Sequence, residues 1–244
     1  MHAEALICSH PRSGGRWLRF LVAHYLAARY HLDIRVSPRN VFSVIPDHHE
    51  ESSRGYPAFG FSDRRVPLIA VCHQPYRWDL HRGYPTIFLA RNPYDVVVSA
   101  YYYLQEKEQQ TRSMRDFIHH SRLGLSAWIE YMNIWSPKLL NHRDATFISY
   151  ASLDAAAGKA LQTVLDFLDH EPEPQLIGRA VWSAAALRSS HKIRTGQEGN
   201  FWDHLQPEDI FDIQERVHHD LSDFSTHLLA SIGVEIDPFP RADQ

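Results

Sequence analysis

Two short segments of this chain combine residue types that hold phosphate: His10-Pro11-Arg12-Ser13-Gly14-Gly15-Arg16-Trp17, and Arg91-Asn92-Pro93 with Ser99 further along the same helical pattern. Each follows an apolar, strand-like run and opens a helix, so each offers helix-start N–H groups beside a guanidinium that stays charged at neutral pH. Two such cradles far apart in one chain imply a ligand with phosphates at both ends of a nucleoside, and a nucleotide-dependent transfer enzyme. The first segment lacks the Gly-Lys-Ser/Thr ending that would touch a terminal phosphate and magnesium, which weighs against an ATPase or a P-loop-type kinase. Taken singly, each has a plainer reading: a tight turn with a solvated arginine, and ordinary helix capping by Asn92 with Pro93 at the first helical position.

The elements that must position these segments alternate. Ala5 to Cys8 reads as a buried strand, and Trp17, Leu18, Leu21, Val22, Tyr25 and Leu26 recur at helical spacing after it. Val66 to Cys72, Pro85 to Ala90 and Ala145 to Tyr150 read as further strands. Helices are expected from Asn92 to about Glu106, around Leu125 to Trp135 with a stop near Pro137, and around Leu161 to Leu168 ended by the prolines at 172 and 174. Two more are expected, from about Leu176 to Ser189 and in one run from Pro207 to about Ile232. The prediction is a single α/β domain over 1–244, with a P-loop-like central parallel sheet flanked by helices and ligands at the carboxyl ends of its strands. Residues 38–65 lack periodicity and carry prolines and glycines, as expected of a loop or lid.

A net charge of -4 supplies no basic field for nucleic acid or an anionic membrane. Cys8 and Cys72 lie inside apolar runs and read as reduced, buried thiols. No apolar run has the length of a membrane span, and no signal peptide is evident, so the expectation is a soluble cytoplasmic protein. Histidines are numerous but lack paired metal-ligand spacing, so no metal is expected and most read as surface residues.

Thr86-Ile87-Phe88-Leu89-Ala90-Arg91-Asn92-Pro93-Tyr94-Asp95-Val96-Val97-Val98-Ser99-Ala100-Tyr101-Tyr102 resembles the 3'-phosphate-binding segment of the sulfotransferases that use 3'-phosphoadenosine 5'-phosphosulfate (PAPS), especially the cytosolic kind. The first loop resembles their 5'-phosphosulfate loop, usually Pro-Lys/Arg-Ser-Gly-Thr-Thr-Trp. Cys72-His73-Gln74-Pro75 falls where the family has Thr-His-Leu-Pro, and Arg194 to Leu205 follows the spacing of its Arg-Lys-Gly-x-x-Gly-Asp-Trp motif.

The resemblance implies that Arg12 and the loop from Ser13 through Gly14 and Gly15 to Arg16 hold the 5'-phosphosulfate, with Trp17 on the adenine. Arg91 and Ser99 would hold the 3'-phosphate, Arg194, Thr195 and Gly196 would close over it within 190–205, and Tyr150 would meet the adenine or else pack in the core. His73 would be the general base and Arg12 would offset charge on the leaving group. Gly15, Arg16, Val71, Thr195 and Asn200-Phe201 depart from the family pattern, so a protein that binds the product nucleotide, adenosine 3',5'-bisphosphate (PAP), as a regulator without catalysis stays open. The expected partners are the nucleotide co-substrate and an acceptor, a small-molecule hydroxyl before an amine, with Phe59, Phe61, Tyr76 and Trp78 as candidate pocket walls. No feature sets an oligomeric state.

Overall fold

Strict alternation of side chains along four short strands builds the sheet. The computed structural model describes residues 3–48, 65–107, 112–119, 123–140, 144–190 and 196–239. Its strands are β1 (Ala5–Ser9), β2 (Ile69–Cys72), β3 (Thr86–Ala90) and β4 (Ala145–Ser149), all parallel in the order β2-β1-β3-β4. Leu6, Cys8, Ala70, Cys72 and Phe88 enter one core, and Ile7, Ile69, Val71, Ile87 and Leu89 the other. Strands buried on both faces have continuous apolar sequences, which is why these runs were legible. Cys8 and Cys72 are register partners, buried and unbridged.

The helices are α1 (Gly15–Arg29), α2 (Trp78–His81), α3 (Pro93–Glu106), α4 (Met114–Ile118), α5 (Leu125–Leu139), α6 (Tyr150–Ala155), α7 (Ala157–Phe167), α8 (Pro174–Ser190), α9 (Pro207–Asp220) and α10 (Asp223–Ser231). Helices α1, α7 and α8 cover the Ile7 face through Leu18, Leu21, Tyr25, Leu161, Val164 and Ala180. Helices α3, α5, α9 and α10 cover the Cys8 face through Val97, Trp128, Met132, Trp135, Ile213 and Leu228. The chain leaves β1 for β2 on one side and returns to β3 on the other, so the strand order reverses between β1 and β3. A crevice at the carboxyl ends of the strands belongs at that reversal.

Four of the boundaries that differ from the sequence prediction have a clear local cause. Helix α5 continues through Pro137 to Leu139, because a proline near a helix end forfeits one ladder bond while Trp135 and Leu139 stay in the core. The long C-terminal helix is two: Leu221 turns extended, and Ser222 caps α10 by accepting from the Ser225 N–H at 3.3 Å. Asn133 of α5 closes that break, donating to the Asp220 carbonyl at 2.8 Å and accepting from the Ser222 N–H at 2.8 Å. Strand β2 starts at Ile69, past Pro67, which cannot donate to a ladder. Helix α7 ends at Phe167, where Asp169 takes a φ of 59°, before the prolines are reached. Among the described residues no helix is long and apolar enough to cross a membrane.

Candidate functional site

Each strand delivers one part of the site to the same edge of the sheet. Strand β1 runs into the loop from Ser9 to Gly14, β2 ends beside His73, β3 ends at Arg91, and β4 ends at Ser149, whose side chain caps α6 so that Tyr150 opens it. In the first loop Arg12 (φ 72°) and Gly14 (φ 99°) are left-handed, and the Gly14 carbonyl accepts from the N–H groups of Trp17 and Leu18 at 2.9 and 3.2 Å. A Cβ on Gly14 would lie 2.6 Å from Tyr150 Cε2, and one on Gly15 would lie 2.6 Å from Ser9 Oγ and 3.3 Å from His73 Cε1. The loop is therefore pressed between Tyr150 and His73. Gly14→Ala is expected to lower stability by roughly 1–3 kcal/mol in a denaturant titration, from left-handed strain plus displacement of a buried ring. An unchanged midpoint would show that the ring yields freely.

At the second segment, Asn92 caps α3 by accepting from the Asp95 N–H at 2.8 Å. The Asp95 carboxylate is buried and accepts from Arg91 Nη2 (3.1 Å), Asn92 Nδ2 (2.9 Å), and the N–H groups of Gly199 (2.8 Å) and Phe201 (3.0 Å). One carboxylate thus ties the β3–α3 turn to the stretch after Gly196. Arg91 also donates to the Gln197 carbonyl at 3.0 Å and lies 4.0 Å over the Tyr150 ring, whose hydroxyl donates to the Gly196 carbonyl. Glu198 completes the group: Oε1 accepts from Asn92 Nδ2 at 2.8 Å and Oε2 lies 3.5 Å from Arg91 Nε.

Arg12 reaches across to α3, where its Nε donates to Ser99 Oγ at 3.1 Å and its guanidinium covers the Tyr103 ring at 4.7 Å. Burial, with the Arg91 and Arg16 cations adding to it, pushes this guanidinium below its ordinary range. Among the described residues no carboxylate is ion-paired with Arg12, and the buried Ser13 hydroxyl has no hydrogen-bond partner. A half-buried guanidinium in no carboxylate ion pair, beside a buried hydroxyl without a partner, fits an anionic ligand, since buried polar groups otherwise find partners.

His73 is exposed at the end of β2, and its Nδ1 lies 2.9 Å from the Ser9 carbonyl oxygen. A carbonyl only accepts, so this bond holds the proton on Nδ1 and leaves the Nε2 lone pair open. His10 is buried beside it, with Nδ1 on the Pro11 carbonyl at 2.9 Å, and burial pulls it down to about 4, so it is neutral at pH 7. Beneath His73 lies an aromatic cluster in which Tyr76 stacks on buried His81 at 5.4 Å and Trp135 Nε1 donates to the Gln74 carbonyl at 3.2 Å. His10 and His81 are exceptions to the surface reading of the histidines. Trp78 projects outward under Arg82.

The fold brings Arg12, Gly14, Arg91, Ser99, Tyr150 and Gly196 into one connected group, which His73 joins through Gly15. Trp17 meets Tyr150 edge-on at 6.2 Å, and Arg16 is exposed on the first turn of α1. Tyr150 is buried and braces the loop from below. Arg194, Thr195, Phe59 and Phe61 lie outside the described residues. Asp95, Glu198, Ser9 and Tyr103 were not among the sequence candidates. Only Asp95 carried a signal, its spacing from Asn92; the others matter through contacts that no local pattern encodes.

A family model described as a sulfotransferase domain matches residues 2–225. The chain belongs to the sulfotransferase family. It is 22% identical over 192 residues to Sulfotransferase 1E1 of Mus musculus, covering 73% of this chain and 63% of that protein. It is 25% identical over 175 residues to Sulfotransferase 2B1 of Mus musculus, covering 68% of this chain and 49% of that protein. The matched stretch thus spans less than two thirds of these relatives' length. Among solved sulfotransferase-like folds, mouse sulfotransferase SULT7A1 complexed with PAP superposes with a TM-score of 0.67 at 18% identity, covering 93% of this chain and 88% of that one. Retinol dehydratase in a complex with retinol and PAP superposes with a TM-score of 0.64 at 16% identity, covering 91% and 83%. These likenesses establish the sulfotransferase fold.

Proposed function

We propose that this chain transfers a sulfuryl group from PAPS to a hydroxyl, releasing PAP. The convergence of Arg12, Ser99 and Arg91 around the Gly14 loop carries this reading, and the PAP carried by structural neighbours supports it. The loop from Ser13 to Arg16 and the start of α1 hold the 5'-phosphosulfate, with Trp17 at the adenine and Tyr150 as brace. Arg91 and Ser99 hold the 3'-phosphate, and Arg194, Thr195 and Gly196 close over it. In the transfer, a bond forms from the acceptor oxygen to sulfur as the bond from sulfur to the 5'-phosphate oxygen breaks. The electron pair stays on the phosphate, where Arg12 and the loop N–H groups offset the charge, and the acceptor proton passes to His73 Nε2. Nothing in this scheme requires a metal.

Val71, which stands where the family has a lysine, points into the apolar core and supplies no cation; that favours a second reading, PAP binding without transfer. Incubation with PAPS labelled in its sulfate, over a panel of alcohols, phenols and amines, separates the two. Labelled product with matching PAP release, best with a hydroxyl, is the expected result. Tight PAP binding with no product across the panel would leave only the binding role, and no PAP binding would remove both.

A further inference from the structure

We infer that Glu198 is an internal anion standing where the 3'-phosphate of the donor belongs, so that its withdrawal from Arg91 sets the affinity for PAP relative to nucleotides lacking that phosphate. This rests on the donor assignment proposed above. Arg91 commits its Nη2 to Asp95 and to the Gln197 carbonyl. Its Nε is buried without a hydrogen bond and faces Glu198 Oε2, also buried without one, across 3.5 Å. The unused donor and the unused acceptor therefore meet as an ion pair that is never drawn into hydrogen-bond contact. A phosphate oxygen would satisfy Arg91 Nε with a charge-assisted bond, but in the space Glu198 Oε2 fills.

Charge points the same way. With Asp95 and Glu198 both ionised, Arg91 already faces two carboxylates, and an arriving phosphate would add further negative charge against them. Asp95 cannot leave, because it anchors two backbone N–H groups of the Gly199–Phe201 turn as well as Asn92. Glu198 can: its carboxylate keeps one hydrogen bond, to Asn92, and its backbone sits beside Gly199 at φ 82°. Its N–H donates to Asp154 at 3.2 Å, a second acidic neighbour. Burial pushes the Glu198 carboxyl above its usual range even with Asn92 and Arg91 opposing it, as expected of a carboxylate in a poor place for charge. The position falls at one the family motif leaves open, so no pattern in the sequence marks it.

Calorimetric titration of PAP and of adenosine 5'-phosphate into the wild-type chain, Glu198→Gln and Arg91→Ala tests this. Glutamine keeps the length and the Asn92 contact and removes the charge. We expect Glu198→Gln to bind PAP about 10-fold more tightly, with adenosine 5'-phosphate changed by less than about 2-fold. Glu198→Ala should move the same way, which guards against a folding artefact of one variant. PAP affinity in both variants unchanged or weaker, or an equal shift for both nucleotides, overturns the inference. If Arg91→Ala leaves PAP binding intact, or no form binds PAP, the donor assignment fails and takes this inference with it. If Arg91→Ala abolishes PAP binding while the Glu198 variants gain nothing, only the role of Glu198 falls.

Discussion

His73→Ala is expected to slow sulfuryl transfer by about 10²–10⁴-fold, the usual contribution of a positioned general base, with PAP affinity within about 2-fold of wild type. The separation follows from geometry. His73 projects at the end of β2 and touches the loop at its edge, through Nδ1 against the Ser9 carbonyl and the Ser9 hydroxyl and through its approach to Gly15, so Arg12, Arg91 and Ser99 keep their contacts when it is removed. In the proposed transfer the acceptor proton goes to Nε2, because the Ser9 carbonyl holds a proton on Nδ1, and alanine offers no substitute. Single-turnover kinetics with saturating PAPS reads the chemical step directly. A rate near wild type would remove His73 as base and turn attention to His10, neutral and buried next to it.

Arg91→Ala is expected to weaken PAP binding by about 30-fold to several thousand-fold, corresponding to roughly 2–5 kcal/mol for truncating a buried, hydrogen-bonded charge. Adenosine 5'-phosphate should lose far less, since it carries nothing for Arg91 to hold. The guanidinium is nearly sealed between Asp95, the Gln197 carbonyl and the Tyr150 ring, which explains the size of the effect. It also predicts a second loss: the buried Asp95 carboxylate and the half-buried Glu198 carboxylate would remain without their counter-ion, so the variant should melt at lower temperature. Calorimetry with both nucleotides at a temperature where the variant is folded separates the two effects. Equal losses for PAP and adenosine 5'-phosphate would mean that Arg91 acts through the fold and not on a 3'-phosphate.

The strands and most of the helices were legible in the chain alone, because burial period and capping are local. Ile7, Ile87 and their neighbours must be apolar wherever a parallel sheet is covered on both faces, and Asn92-Pro93 starts a helix by the geometry of its own backbone. The breaks at Leu221 and beyond Pro137 were not legible in that way, since partners on another helix or a distant core decide them. How the candidate groups are engaged emerges only in the folded chain: Arg12 of the first loop reaches Ser99 of the second, His73 leans on Ser9, Tyr150 is a brace, and Glu198 shares the surroundings of Arg91. The physical reason is that a residue's chemistry depends on which donors, acceptors and charges fold around it, and those come from strands and loops whose separation in the chain carries no trace of their distance in space.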